Sequence, residues 1–363
     1  MENKKFRIGI IGCGGIANGK HMPSLKALDQ ECEMVAFCDI IEERAVKAKA
    51  DYGTPDAKVY TDYKELLKDA SIDVIHVCTP NKSHAPISIA AMEAGKDVMC
   101  EKPMAKTAAE AKEMLEASKR TGRVLTIGYQ TRQAPEMQLV KKMADEGKLG
   151  HIYYGKALAI RRRAVPTWGV FLNEEEQGGG PLIDIGTHAL DLTLWTMNNY
   201  EVASVSGNVH YELRGKKDAA NAWGSWDPEK YTVEDSAFGF IKMKNGATII
   251  LESSWAINLV DAREAQYILA GTEAGVDFMD GLRINGEEYS RLYTKNIDMK
   301  KGGVAFYEGS KGETPALAEA RQWLKALREG TKPCVLPEQA LVVSQVLEAI
   351  YESYKTGKTV YFD

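Results

Sequence analysis

Short apolar runs alternate with amphipathic stretches through the first third of the chain. Residues 6–11, 34–38, 74–78, 97–100 and 124–127 are brief and almost continuously apolar, the pattern of strands buried on both faces. Between them, residues 16–28, 42–52, 63–68, 84–94 and 107–120 read as helices. This β-α-β-α order predicts a parallel, doubly wound sheet with helices on both faces and right-handed crossovers. After residue 129 the rhythm changes. A helix over 136–146 precedes a long strand over 151–160, and a Gly-rich loop leads into a helix over 187–197. Strands follow over 202–211, 236–242, 248–255, 265–270 and 276–280, and Lys244-Asn245-Gly246 reads as a hairpin turn between two of them. Helices return over 315–328 and 338–354. The expected architecture is an α/β domain over 1–129 and an α+β domain with a large open, mostly antiparallel sheet over 130–363, the C-terminal helices packing back on the first domain.

A length of 363 residues agrees with two domains at ~150 residues each. With 46 Lys plus Arg against 51 Asp plus Glu, the net charge is −5. Nonspecific binding to nucleic acid or an anionic membrane needs an excess of cations, so neither partner is expected. The six cysteines form no CxxC pair, and Cys38, Cys78 and Cys100 end apolar runs, a usage that suits a reducing cytoplasm. The apolar stretch 8–16 holds four glycines, is too short to span a bilayer and lacks a signal-peptide layout.

Chemistry enters at the first loop. Gly12-Cys13-Gly14-Gly15-Ile16-Ala17 follows a strand and opens a helix, the G-x-G-x-x-A arrangement that cradles a dinucleotide. Gly12 permits the tight turn, Gly14 lets backbone approach a pyrophosphate, and Ala17 keeps helix and sheet close. The phosphates then meet a helix N-terminus, where free N–H groups and the dipole favour anions. Asp39 ends the second strand, 22 positions after Ala17. A carboxylate there accepts ribose hydroxyls and repels a 2′-phosphate, and Ile40 and Ile41 offer no cation to hold one, so NAD is favoured over NADP. Asp39 also suits a helix N-cap, and the roles are compatible. Thr79-Pro80-Asn81 and Glu101-Lys102-Pro103 each follow a strand, at the carboxyl ends where α/β sheets bind ligands.

These motifs, with Gly178-Gly179-Gly180-Pro181-Leu182-Ile183-Asp184-Ile185-Gly186-Thr187-His188, resemble the glucose–fructose oxidoreductase / inositol dehydrogenase (Gfo/Idh/MocA) family over nearly the whole chain. The resemblance implies a Rossmann domain followed by an open sheet used for substrate binding and homo-oligomer contacts. It implies that Lys102, Asp184 and His188 surround the reacting carbinol. It places Gly12, Gly14, Gly15, Ile16, Asp39, Thr79, Asn81, His84, Glu101, Lys102 and Gln130 at the cofactor, and Tyr129, Arg132, Arg163 and Trp168 with Asp184 and His188 at the substrate. The family often has Asn where Thr131 stands. The segment Arg161 to Gly169 joined to the Gly-rich helix is similar to glycoside 3-dehydrogenases of this family, which oxidise the C3 hydroxyl of a glucosyl unit.

The chemistry follows from the side chains. Oxidising a secondary alcohol requires a base for the hydroxyl proton while hydride leaves for the nicotinamide. An imidazole changes protonation near neutral pH, and a lysine beside a cationic ring acidifies, so both His188 and Lys102 qualify as the base. Asp184 can bond a sugar hydroxyl or orient His188. A competing reading makes Asp184, His188 and Asp191 metal ligands, but no third His or Cys lies near them in sequence, so no metal is expected. Arg161-Arg162-Arg163 reads as a solvated edge or as a pocket mouth with Trp168, and Trp223-Gly224-Ser225-Trp226 as a substrate cover or as local packing. The expected function is NAD-dependent oxidation of a sugar or glycoside hydroxyl. Alternatives are an NAD-dependent glycosidase using transient oxidation, an inositol dehydrogenase and a non-catalytic sugar or NAD sensor.

Overall fold

In the computed structural model, which describes residues 4–299 and 313–362, the chain divides into two units. The first takes residues up to Gln130 together with Glu313–Ser344. Its strands are β1 (Phe6–Ile11), β2 (Cys32–Cys38), β3 (Lys58–Tyr60), β4 (Val74–Val77), β5 (Asp97–Cys100) and β6 (Leu125–Ile127). They form one all-parallel sheet in the order β3-β2-β1-β4-β5-β6. This is the doubly wound Rossmann order, whose direction of winding reverses between β1 and β4. The connecting helices are α1 (Met22–Lys26), α2 (Glu42–Tyr52), α3 (Tyr63–Leu67), α4 (His84–Glu93) and α5 (Ala108–Thr121). On one face Ile8, Ile10, Phe37, Val74 and Met99 pack with Met22 and Leu25 of α1 and with Trp323 and Leu324 of the late helix α9 (Pro315–Glu329). Where one long helix was expected over 16–28, a π-helical turn, Ala17–His21, precedes the short α1. Pro23 at the head of α1 lacks the N–H a continuous α-helix would use there.

The second unit takes Thr131–Gly312 and Gln345–Asp363. Its helices are α6 (Pro135–Asp145), α7 (Glu174–Gln177), α8 (Thr187–Met197) and the end of α10 (Pro337–Thr356). Its strands are β7 (Ile152–Ile160), β8 (Val202–His210), β9 (Ser236–Met243), β10 (Thr248–Ser254), β11 (Gln266–Gly271), β12 (Ala274–Asp277), β13 (Arg283–Glu288), β14 (Arg291–Asn296) and β15 (Val360–Tyr361). They make a nine-stranded sheet in the order β14-β13-β12-β11-β7-β10-β9-β8-β15. Only β7 and β10 run parallel; the other neighbours are antiparallel. The hairpin at Lys244–Gly246 joins β9 to β10, with Lys242 opposite Thr248. Helix α8, buried over nearly its whole length, lies on β7. Among the described residues no helix is long and apolar enough to cross a membrane.

Candidate active site

The glycine turn sits at the carboxyl ends of β1 and β4, where the winding reverses. Gly12 has φ +89°, and a Cβ there would stand 2.6 Å from the Cys78 carbonyl oxygen, so both backbone conformation and space demand glycine. At Gly14 and Gly15 the opposite holds, since a Cβ would meet nothing within 4 Å. The half-buried Gly14 and exposed Gly15 therefore offer backbone to open space at the start of the helical turn, a cradle that fits a diphosphate. Asn18 Nδ2 donates to the carbonyls of Cys13 and Gly14, each at 2.9 Å, and fixes the turn. Asp39 is buried at the end of β2 and accepts from the amides of Cys13 at 2.8 Å and Ile41 at 2.9 Å. It thus holds the glycine loop and closes a local turn ahead of α2; the N-cap of that helix is Ile41, which makes no side-chain cap bond, so the helix cap expected of Asp39 is not formed. Each carboxylate oxygen has a second acceptor position, which suits ribose hydroxyls.

The loops after β4 and β5 are braced together. His84 is buried, with Nδ1 at 2.8 Å from the Pro103 carbonyl and Nε2 at 2.9 Å from the Thr79 carbonyl. Thr79, Asn81 and Lys102 are half-buried around it. Glu101 is buried and accepts from Lys20 Nζ at 2.6 Å, while His21 Nε2 stands 2.7 Å away and the Lys102 amide donates to its other oxygen at 3.1 Å. Lys20 also meets Glu319 of α9 at 2.8 Å, and His21 Nδ1 meets His76 Nδ1 at 2.9 Å. Burial opposes ionisation of Glu101, but Lys20 and His21 outweigh it and hold its carboxyl well below the usual range. At Glu319 burial prevails and the pKa rises. Glu101 thus supports, from beneath the surface, the backbone that carries Lys102. Tyr129 is buried and Gln130 half-buried after β6.

In the second unit, Leu182–Gly186 forms a second π-helical turn that runs into α8 and carries Asp184 just ahead of His188. Glu234 pins this segment. One of its oxygens accepts from the Gly180 amide at 2.8 Å, and the other from the Leu182 amide at 3.1 Å and the Tyr351 hydroxyl at 2.9 Å. The glycines are obligatory, because a Cβ on Gly179 would lie 2.0 Å from the Tyr351 hydroxyl and one on Gly180 2.4 Å from the Glu234 carbonyl oxygen. Burial pushes the Glu234 carboxyl up to about 7 despite the three donors. Asp184 accepts from Trp255 Nε1 at 3.1 Å and has Arg161 Nη1 at 4.0 Å. His188 Nδ1 lies 3.4 Å from the Thr131 hydroxyl.

The remaining expected residues have distinct surroundings. Arg132 is fully buried, donates twice to Asp191, at 2.8 and 2.6 Å, and packs over Trp195. Burial raises the Asp191 pKa against the pull of Arg132. Asp191 therefore serves the Arg132 pair, and among the described residues no group of three His, Cys, Asp or Glu is placed to hold a metal ion. Arg163 donates to the Ile257 carbonyl and to Asn258 Oδ1. Of the three consecutive arginines, Arg161 is the one beside Asp184. Trp168 is 50% exposed. Sequence reasoning missed Glu234, Tyr351, Trp255, Lys20 and His21, and from the arginine run it chose Arg163 where Arg161 is the one beside Asp184. The one available signal was the acidic pair Glu234-Asp235 heading a strand, a place where unpaired carboxylates are costly.

Known proteins resemble this chain along nearly its whole length. Residues 6–129 match the oxidoreductase family with an NAD-binding Rossmann fold, and residues 137–277 match the GFO/IDH/MocA C-terminal domain. The D-glucoside 3-dehydrogenase of Escherichia coli (strain K12) is 34% identical, over 99% of this chain and 98% of its own length. A levoglucosan dehydrogenase of Pseudarthrobacter phenanthrenivorans is 29% identical over 86% of this chain and 85% of its own. A solved structure of levoglucosan dehydrogenase in complex with NADH superposes with a TM-score of 0.83 at 22% identity, covering 99% of this chain and 100% of that one.

Proposed function

Because this chain belongs to the GFO/IDH/MocA oxidoreductase family, we propose that it oxidises a secondary hydroxyl of a sugar or glycoside, the C3 hydroxyl of a glucosyl unit foremost, with NAD as the acceptor. The observation that carries this reading is the full-length similarity to D-glucoside 3-dehydrogenase, in a chain that clamps Asp184 between Trp255 and Arg161 four positions before His188. Bound NAD supplies the hydride acceptor. Gly12, Gly14, Gly15 and Ile16 receive its diphosphate and Asp39 its adenosine ribose, while the loops of Thr79, Asn81, Glu101 and Gln130 bound the rest, with His84 bracing them. Asp184 accepts from a sugar hydroxyl, its carboxylate already oriented by the Trp255 indole. Lys102 and His188 are the two groups that can take the hydroxyl proton. Arg132 serves the substrate side through its buried pair with Asp191. The buried, unlinked thiols of Cys13, Cys32, Cys38, Cys78 and Cys100 suit a reducing cytoplasm, and the half-exposed Tyr153 and Phe240 on the open sheet suit a homo-oligomer.

The test is NAD reduction by purified protein with a panel of glucosides, sugars and inositols. NADH should form with glucosides, and Lys102→Met and His188→Asn should each lower kcat by ~10²–10⁴-fold. Release of aglycone without net NADH would favour the glycosidase reading instead. Sugar or NAD binding with no turnover, unchanged in both variants, would favour a sensor.

A further inference from the structure

We propose that Trp168 and Trp223 form a shelf for a flat aromatic aglycone, so that the preferred substrates are aryl glycosides; this rests on the glycoside dehydrogenase reading. The two indoles are 50% and 45% exposed and meet edge to face, with centroids 4.8 Å apart. Phe171 also packs edge to face with Trp168, their ring centroids 5.8 Å apart. Large aromatic side chains bury most of their area in ordinary surfaces, so two adjacent indoles held open to water mark a place where something else covers them.

The shelf is rigid. Asn221 Oδ1 accepts from the Val165 amide at 2.8 Å and Asn221 Nδ2 donates to the Val165 carbonyl at 3.0 Å. The Thr167 hydroxyl donates to the Trp223 carbonyl at 2.8 Å, and the Ala222 amide to the Arg163 carbonyl at 3.1 Å. Four hydrogen bonds thus sew the two Trp-bearing loops together before any ligand arrives, and little ordering cost remains for binding.

It is also continuous with the proposed site. The Arg161 guanidinium lies over the Trp223 ring at 5.6 Å and reaches Asp184 at 4.0 Å. The ring centroids of Phe171 and Trp255 are 6.4 Å apart, and Trp255 donates to Asp184. The shelf therefore begins close enough to Asp184 to lie within reach of a substituent on a glycosyl unit bonded there.

Chemistry selects the occupant. A second sugar ring also has a C–H face that stacks on indole, but its hydroxyls need donors and acceptors. The polar side chains at the shelf already serve the protein: Asn221 and Thr167 bond backbone, Arg163 bonds Ile257 and Asn258, and Arg161 bonds Glu264 through two nitrogens. A hydroxyl-free, uncharged ring fits this better than a sugar or an anionic group.

The experiment compares kcat/KM for phenyl glucoside, methyl glucoside and a glucosyl-glucose disaccharide, in the wild type and in Trp168→Ala, Trp223→Ala and Trp223→Phe. A stacking contact gives a phenyl-over-methyl ratio of about 2- to 12-fold. The ratio should collapse toward one in the alanine variants and survive in Trp223→Phe. In parallel, p-nitrophenyl glucoside should quench tryptophan fluorescence in the wild type and much less in the alanine variants, a reading that needs no turnover. Equal rates for phenyl and methyl glucoside, or a disaccharide that matches the phenyl compound, would overturn the shelf while leaving the dehydrogenase reading in place. Should no glucoside be oxidised, the function fails, and the quenching alone then decides whether the shelf binds aromatic glycosides.

Discussion

Replacing Glu234 with Gln probes how the segment bearing Asp184 and His188 is held. The carboxyl is 1% exposed and accepts from the Gly180 and Leu182 amides and the Tyr351 hydroxyl. Burial raises its pKa from 4.5 to about 7. Between those values the unfolded chain has released the proton and the folded protein keeps it. The folded state then binds more protons, so stability falls as pH rises through this window and levels off above it. At about 1.4 kcal/mol per pH unit the wild type loses roughly 3 kcal/mol across it. Glutamine does not titrate, so the variant lacks this term. It also turns an NH₂ toward one of the donors that a carboxylate satisfies, a cost of about 1–3 kcal/mol at every pH. The variant should therefore be clearly less stable than the wild type at pH 4.5, and the gap should shrink by ~3 kcal/mol, or invert, by about pH 7.5. At roughly 2–4 °C per kcal/mol for a unit of this size, the change is visible in thermal melts as well as in urea titrations. Because the NAD loop belongs to the other unit, NAD affinity should be kept while kcat falls. Stability curves that run parallel from acid to neutral pH would refute the buried, protonated Glu234.

Gly12→Ala should weaken NAD binding at least about tenfold, because the new Cβ meets the Cys78 carbonyl at 2.6 Å in a left-handed conformation; an unchanged NAD titration would count against the placement of the diphosphate. Lys20→Met removes the cation shared by Glu101 and Glu319, both under a tenth exposed, and should cost ~3–5 kcal/mol near neutral pH, with part recovered in Lys20→Met/Glu319→Gln. Since the Glu101 carboxyl is depressed, the stability it adds is present above the usual carboxylate range and is lost as pH falls through its folded value. Urea midpoints on acidification would therefore drop in the wild type and less steeply in Glu101→Gln.

The Rossmann unit was legible because strands buried on both faces are written as nearly continuous apolar runs, interrupted only by Arg7 in β1 and His76 in β4. Strand β3, three residues with an exposed Lys58, carries too little apolar pattern to stand out. Strand β14 lies at the sheet edge with β13 beside it, and both carry charged, exposed side chains, so the period-2 signal is lost. The glycine loop was readable because the constraint on Gly12 is local, set by a strand, a turn and a helix in immediate succession. The surroundings of the candidate site were not. Arg132 and Asp191 are 59 positions apart, and Asp184 and Trp255 71 apart. Glu101 draws on Lys20 and His21 from 81 and 80 positions away. Such pairs leave no spacing to recognise, and only the fold brings them into contact.

The most direct test of the account is the fate of an isotope. Glucosides carrying deuterium at C1, C2 or C3 are incubated in turn with the protein and NAD, and the NADH is analysed by mass spectrometry. The account predicts deuterated NADH from the C3-labelled glucoside alone, with a slowed rate for that substrate. Deuterium arriving from another carbon would contradict the assignment of C3, and no NADH from any glucoside would contradict the dehydrogenase itself.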